Sequence, residues 1–445
     1  MNNPKLVVID DEQIIGDIIK DIPWKEGLNF DVDVYLKYPK IEQIRDASLY
    51  VIDKNFGKGE DGLRLAEELK EKGELGARIM LTAYTNEQAQ TKAINEGLVD
   101  KWLVKPDVVN NLMDTVSILR NERKLIQKRE IGIYGMGSSG IEIIKRAKVL
   151  PGVSKVHAFS NFAKGDYKYL ECAVGLHNKS KVIFHKSLES LVESNPDIFF
   201  ITTGEHGIDF SKPINRNDVF ESSAKKVKPL FEILGKQKYD GLVCNFANPV
   251  GPILHVAEMC GLNPKKLTGV STNAFRTQAL LSEYIPCEID DVKAVSIGEH
   301  GGAIIPYDYC LVGDKPLLEV VPEFKNSYTV KKFETELKEK GLNDMRSNQD
   351  LRLGYEDAPE AILRVLDDIL CLQKNARESL YCYFEPGVLG KQGAFLGWEE
   401  KINYPSLEIE RALRVEDLDE KTYNIMANQA VQQNKLVEGV LNARK

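Results

Sequence analysis

Short apolar runs, each closing on small or charged residues, recur along the first hundred positions with helical periodicity between them. The run from Lys5 to Ile9 meets Asp10 and Asp11, and the run from Leu49 to Ile52 meets Asp53. The run from Ala77 to Leu81 meets Thr82, and the run from Val99 to Val104 meets Lys105 and Pro106. Runs of this length alternating with amphipathic stretches predict a parallel sheet wound with helices. In such sheets ligands gather beyond the carboxyl ends of the strands, where these polar residues fall. The same pattern resumes after Glu130 and continues with longer elements to the end of the chain. From Asp107 to Glu130, Val109, Leu112, Val116, Leu119 and Ile126 keep helical spacing without Gly or Pro. That spacing predicts either one stiff helix running from the first domain into the next, able to transmit motion or pair with its copy, or a plain amphipathic helix with a charged end that closes the first domain.

The residue types at the first set of strand ends carry chemistry. Asp10, Asp11 and Asp53 together suit a hard divalent cation such as Mg²⁺. Asp53 can serve as a carboxylate nucleophile toward a phosphoryl group. Lys105 offers a positive charge to phosphoryl oxygens, and Thr82 a hydroxyl. This constellation resembles the receiver domain of bacterial response regulators over residues 1–122. The resemblance implies that Asp53 is the phosphoacceptor, that Asp10, Asp11, Asp53 and the backbone carbonyl of Asn55 hold Mg²⁺, and that Thr82, Trp102 and Lys105 form the switch. It also implies a sensor histidine kinase or a small phosphodonor as partner. Asp61-Gly62 comes one residue later after Asp53 than the pattern has it, so that loop holds an insertion.

The second signature lies in a strand, a glycine turn and a helix: Glu130 to Tyr134, then Gly135-Met-Gly137-Ser-Ser-Gly140, then a helical stretch from Ile141. This context makes a G-x-G-x-x-G match meaningful. Gly135 permits a tight turn, Gly137 allows backbone to approach a pyrophosphate, and Gly140 allows helix to pack on strand. The helix N-terminus would offer N–H groups to phosphates. Further along, the strand from Asp197 closes on Thr203-Gly204, and the strand from Leu242 closes on Asn248-Pro249. The segment from Val295 carries Gly298-Glu299-His300-Gly301-Gly302. With Arg216 and the Asn273-to-Arg276 segment, these motifs resemble the lactate/malate dehydrogenase family over residues 130–445.

That resemblance implies a role for each matched residue. His300 would exchange a proton with the substrate's 2-hydroxyl as hydride moves, a task suited to imidazole. Arg276 would grip the substrate carboxylate. Arg216 would polarise the carbonyl from a closing loop, and Asn248 would hydrogen-bond the same oxygen. Thr203 and Gly204 would line the nicotinamide ribose. The substrate class would be a small 2-hydroxy or 2-oxo acid.

Three positions depart from the family. Ser160, twenty-five residues past Gly135, stands where NAD-specific members place the acid that holds the ribose 2′-hydroxyl. Ser160, Asn161 and Lys164 better tolerate a 2′-phosphate, so NADP is preferred to NAD. Asn273 stands where the family has the aspartate that orients the histidine, and an amide brings no charge to offset an imidazolium. The family's second substrate-sensing arginine would fall near Ser211, which disfavours a dicarboxylate.

Composition narrows the classes. A chain of 445 residues accommodates two or three domains. Hydrophobic content of 43% supplies ample core, and a net charge of −8 disfavours nucleic acid as a partner. No apolar run is long enough to span a membrane and no signal-peptide pattern opens the chain, so a cytoplasmic location is expected. Seven cysteines without C-x-x-C spacing read as reduced thiols. His157, His177, His185 and His206 read as isolated, and His255 as a helix-surface residue near a core thiol, Cys260.

The expected architecture is therefore α/β: a receiver (flavodoxin-like) domain over 1–122, a helical linker over 123–129, a Rossmann domain over 130–270, and an α+β substrate domain over 271–445. Two functions fit, both with the homo-oligomeric assembly common to such domains. One is an NAD(P)-dependent 2-hydroxyacid dehydrogenase regulated through Asp53. The other is a dinucleotide- and metabolite-sensing output module with little turnover.

Overall fold

Apolar runs pair into two separate parallel sheets. In the computed structural model, residues 3–24, 28–56, 60–83, 87–105, 108–122, 124–161, 181–203, 216–270, 272–299, 303–337, 339, 357–371, 377–403, 407–411 and 414–442 are described. The first sheet contains β1 (Lys5–Ile9), β2 (Asp31–Tyr35) and β3 (Leu49–Asp53). A small hairpin, β4 (Asn55–Phe56) with β5 (Glu60–Asp61), follows, and β6 (Ala77–Thr82) and β7 (Lys101–Val104) complete the sheet. Its order is β2-β1-β3-β6-β7, the doubly wound 2-1-3-4-5 arrangement. Leu6, Val8, Leu49, Val51, Ile79 and Leu81 enter one core, while Val7, Ile9, Tyr50, Ile52 and Met80 enter another. A strand buried on both faces reads as a continuous apolar run for this reason. The hairpin accommodates the extra residue after Asp53 by pairing Asn55 with Asp61.

The second sheet holds β8 (Arg129–Tyr134), β9 (Val153–Phe159), β10 (Val182–Phe184), β11 (Ile198–Ile201), β12 (Leu242–Asn245) and β13 (Leu267–Gly269). The order β10-β9-β8-β11-β12-β13 is the 3-2-1-4-5-6 sequence of a Rossmann sheet. Its strand order reverses between the parallel neighbours β8 and β11, which opens a crevice at their carboxyl ends.

Beyond it come two antiparallel sheets. The first joins β14 (Val292–Lys293), β15 (Leu311–Val312) and β16 (Lys315–Pro316); the second joins β17 (Arg377–Phe384), β18 (Ala394–Asn403) and β19 (Glu408–Arg411). A bridge between Val270 and Leu380 ties the second of these to the end of the Rossmann sheet. The expected C-terminal helix runs from Glu420 to Asn442. Among the described residues, no helix is long and apolar enough to cross a membrane.

The joint between the sheets is not the continuous helix that its spacing allows. The helix Val108–Asn121 stops, and residues 124–128 run without regular structure into β8. Tertiary partners replace the helical bonds. Leu125 is fully buried, the Gln127 N–H donates to the Leu370 carbonyl at 2.8 Å, and the Gln127 side chain accepts from Arg129 at 2.7 Å. Leu370 closes the helix Asp357–Leu370, so the linker is anchored on the second half of the molecule. Lys128 forms an ion pair back to Asp46 of the first.

Candidate functional sites

At the carboxyl end of the first sheet, β1 delivers Asp10 and Asp11 beside Asp53 at the end of β3. One carboxylate oxygen from each lies within 4.8 Å of the others. Asp10 and Asp53 are buried, whereas Asp11 is exposed. Lys105 Nζ reaches Asp10 at 3.0 Å, Glu12 at 2.9 Å and Asp53 at 3.5 Å. Burial alone would lower the lysine, but its contacts with Glu12 and Asp10 outweigh that and hold it above the ordinary range. Burial, followed by the neighbouring charge of Asp10, pushes the Asp53 carboxyl up to about 6. Burial raises Asp10 as well, against the opposing effects of the Glu12 N–H and Lys105. An acid cluster that resists ionisation, with one cation already seated, is short of positive charge. A hard cation bound through oxygen would supply it, so the donor set fits Mg²⁺.

The other residues of this group converge on the same edge. Thr82 is buried at the end of β6, which pairs with β3 on one side and β7 on the other. Asn55 donates its backbone N–H to Asp53. Trp102 is buried on β7, with Lys54 Nζ 5.8 Å from its ring centroid.

The second edge is built on the glycine turn after β8. Gly135 has φ +109°, a left-handed conformation that a side chain would strain, and a Cβ there would press on the Thr203 backbone. Gly137 caps the helix Ser138–Ala147. A Cβ on Gly140 would overlap the Gly135 carbonyl, so strand, turn and helix close on one another only with glycine. The Thr202 hydroxyl donates to that carbonyl at 2.6 Å, and the Gly135 N–H donates to the Phe159 carbonyl at 2.9 Å. Turn, β11 and β9 are thereby locked together at the crevice. Thr203 is half-buried at its rim. Ser160 follows β9 and is buried, with no acid in its place. The Asn161 amide donates to the Tyr134 hydroxyl at 3.1 Å, so this side chain is turned onto its own sheet. Lys164 and Gly204 lie outside the described residues.

Farther along the edge, Asn248 is exposed after β12. The turn that carries it is held by Asn245, fully buried, which accepts from the Ala247 N–H and donates to the Ala247 and Val250 carbonyls. Asn273 and Arg276 are half-buried in the first turns of the helix Thr272–Tyr284, directly after β13. Arg216 begins the helix Arg216–Lys236, and its side chain lies outside the described residues, as does His300.

The approach to His300 is nonetheless fixed. Gly298 pairs with Gly397 of β18 through reciprocal bonds of 2.8 and 3.0 Å. Gln429 accepts from the Glu299 N–H at 2.8 Å. Gln433 binds both backbone groups of Phe395 and reaches Glu299 Oε2 at 3.4 Å. These two glutamines, one helical turn apart, were not foreseeable from the motif. Their only signal is polar residues on the buried stripe of a C-terminal helix.

The comparisons agree with this geometry. No protein-family model matches the chain. A malate dehydrogenase of Methanosarcina mazei is 27% identical over 233 residues, covering 50% of this chain and 71% of that protein. An L-lactate dehydrogenase 3 of Bacillus cereus is 26% identical over 214 residues, covering 47% and 65%. Among solved structures, lactate dehydrogenase from Eimeria maxima with NADH and oxamate matches with a TM-score of 0.59 at 16% identity, over 72% of this chain and 96% of that one. The chain carries a lactate/malate dehydrogenase fold. Malate dehydrogenase of Cryptosporidium parvum matches over its full length, with a TM-score of 0.58 and 19% identity, on 71% of this chain. The match to these solved structures therefore leaves more than a quarter of the chain uncovered.

The histidines need a correction. His157 and His185 are not isolated but bonded to each other, Nδ1 to Nε2, at 2.9 Å. Strand pairing joins them: β10 lies beside β9, and His185 follows its last residue. His255 is only 16% exposed at its side chain, within 4.0 Å of Glu258, rather than on the helix surface. Six cysteines among the described residues are free thiols, as expected.

Proposed function

We propose that this chain is an NAD(P)-dependent 2-hydroxyacid dehydrogenase-like protein whose second half is governed by a phosphoacceptor domain of the receiver type over residues 1–122. The observation that carries the first part is the glycine turn, closed on Thr202 and Thr203, at the switch point of a Rossmann-ordered sheet. A dinucleotide pyrophosphate suits that position because the following helix directs N–H groups toward it. The nicotinamide, when bound, supplies the hydride or takes it up. Arg276 binds the substrate carboxylate, Asn248 and Arg216 orient its 2-oxygen, and His300 holds or removes the proton there. The similar Eimeria maxima structure, which holds NADH and oxamate, supports a small 2-oxo acid as the ligand. With Ser160 at the end of β9, no carboxylate repels a ribose 2′-phosphate, so NADPH should bind at least as well as NADH.

For the first domain, the support is the meeting of Asp10, Asp11, Asp53, Thr82 and Lys105 at one sheet edge. Asp10, Asp11 and Asp53 would hold Mg²⁺, with the Asn55 carbonyl, and the ion offsets charge on an incoming phosphoryl group. Asp53 is the nucleophile and Lys105 the cation facing the phosphoryl oxygens. A sensor histidine kinase or a small phosphodonor such as acetyl phosphate would be the source.

A second reading follows from Asn273. Without a carboxylate beside His300, the domain binds dinucleotide and oxo acid yet turns over slowly, and acts as a metabolite-sensing output. The assay is NAD(P)H oxidation with a panel of 2-oxo acids, with and without acetyl phosphate and Mg²⁺. Turnover abolished by His300→Ala supports the enzyme; tight binding without turnover supports the sensor. Absence of both binding and turnover rejects the pair. Labelling by acetyl phosphate that persists in Asp53→Asn rejects the phosphoacceptor assignment.

A further inference from the structure

Outside both sites, four polar side chains form a line across the Rossmann half. Glu130 Oε2 lies 3.0 Å from His157 Nε2, His157 Nδ1 lies 2.9 Å from His185 Nε2, and His185 Nδ1 lies 3.2 Å from Ser190 Oγ. Ser190 Oγ is also 3.0 Å from the Ser187 carbonyl. The line joins β8, β9, the end of β10 and the helix Leu188–Glu193. His157 is 4% exposed.

Counting hydrogens shows what this line can do. With both rings neutral, each bond points toward the carboxylate: Ser190 donates to His185, His185 to His157, and His157 to Glu130. One added proton could sit on either ring, but the Glu130 carboxylate 3.0 Å from His157 Nε2 favours the imidazolium there, and the direction then reverses beyond His157. The His157 imidazolium then donates at both nitrogens, to Glu130 and to His185. His185 takes its hydrogen on Nδ1 and donates to Ser190, and Ser190 turns to the Ser187 carbonyl. Both acceptors that Ser190 needs are already in place. A second proton would set two N–H groups against each other at the 2.9 Å ring-to-ring contact.

We propose that Glu130, His157, His185 and Ser190 form a one-proton switch, in which uptake of a single proton by His157 reverses the tautomer of His185. The surrounding charges agree. Lys155 holds the other Glu130 oxygen at 2.8 Å. Asp197, at the start of β11, is occupied by the Glu130 N–H and Arg129. Glu189 and Glu193, on the helix, are exposed. Burial opposes the ionised Glu130, yet Lys155 and His157 outweigh it and hold this carboxyl below the ordinary range. Burial and then the charge of His157 hold His185 below the usual imidazole range, which leaves it the neutral partner. The switch reports pH at the root of β9, the strand that ends on Ser160, and it stands whether or not a dinucleotide binds.

The test is NMR of the full chain with isotope-labelled histidine between pH 8.5 and 5, with single His→Gln variants to assign the rings. One step is expected, in which His157 becomes imidazolium while His185 stays neutral and moves its hydrogen from Nε2 to Nδ1 at the same midpoint. Glu130→Gln should move both changes together to lower pH, by about one unit, because an opposite charge is lost. The proposal is overturned if His185 itself becomes imidazolium in this range, if the two rings change at separate midpoints, or if neither changes. Where one variant fails to fold, the other still assigns the pair, and the number of midpoints and of imidazolium rings in the natural protein separates one proton from two.

Discussion

Asn273 and Asp53 are the residues on which the two proposed activities turn. On the proposed reading, Asn273 takes the place of the aspartate that would partner His300, and an amide contributes a hydrogen bond without a charge. In serine proteases the comparable Asp-to-Asn change costs roughly 10⁴ in turnover. Asn273→Asp should therefore accelerate oxo-acid reduction, by as much as roughly 10⁴-fold, measured as NAD(P)H oxidation at saturating ligand. An unchanged rate with confirmed binding of both ligands would favour the sensor. At Asp53 the sign can be worked out from its carboxyl near 6 against an ordinary 3.8. The folded state holds the proton more tightly, so stability falls as pH rises from about 4 to about 6 and the cost is complete above that. The shift corresponds to about 1–3 kcal/mol. Asp53→Asn should be more stable than the natural protein at pH 7 by about that much, with the gain gone near pH 4. Urea unfolding at the two pH values checks it, and a pH-independent difference would contradict it.

At the scale of elements, both parallel sheets and the positions where their strands end were legible in the chain. Buried parallel strands leave an uninterrupted apolar signature, and Gly135, Gly137 and Gly140 announce the turn. Gly140→Ala should destabilise the Rossmann half by roughly 1–3 kcal/mol, since its Cβ would overlap the Gly135 carbonyl. Thermal unfolding would reveal this, and an unchanged midpoint would mean the turn relaxes. What was not legible depended on distant partners. Residues 124–128 carry helical spacing, but the Leu370 carbonyl captures the Gln127 N–H and the chain leaves the helix. Nothing near His157 in sequence signals His185, because strand register brings them together. Gln429 and Gln433 look like surface residues of an amphipathic helix until the Glu299 and Phe395 backbones are placed beside them. Gln433→Ala would leave both Phe395 backbone groups unpaired and buried, at about 1–3 kcal/mol for each group. The expected loss of stability, read by urea unfolding, is thus larger than that of an exposed truncation such as Gln392→Ala.

At the scale of the whole molecule, the proposed cation-and-phosphoryl site and the proposed dinucleotide crevice lie on different sheets, with seven residues between the helix Val108–Asn121 and β8. That joint is pinned to both halves, by Lys128 to Asp46 and by Gln127 to Leu370. The helix ending at Leu370 also packs on the helix Ser138–Ala147 that follows the glycine turn. Phosphorylation at Asp53, as proposed, would have a short physical route to the crevice, and acetyl phosphate with Mg²⁺ should then change dinucleotide affinity or assembly state. Light scattering and titration with and without the phosphodonor test this, with Asp53→Asn as the control that should not respond. The central claim is that the second half binds a nicotinamide dinucleotide at the Gly135 turn. Fluorescence titration of the full chain with NADPH and with NADH, repeated with oxamate, addresses it most directly. The account predicts saturable binding, NADPH at least as tight as NADH, lost when Gly140→Ala closes the turn. Folded protein that binds neither dinucleotide would contradict it.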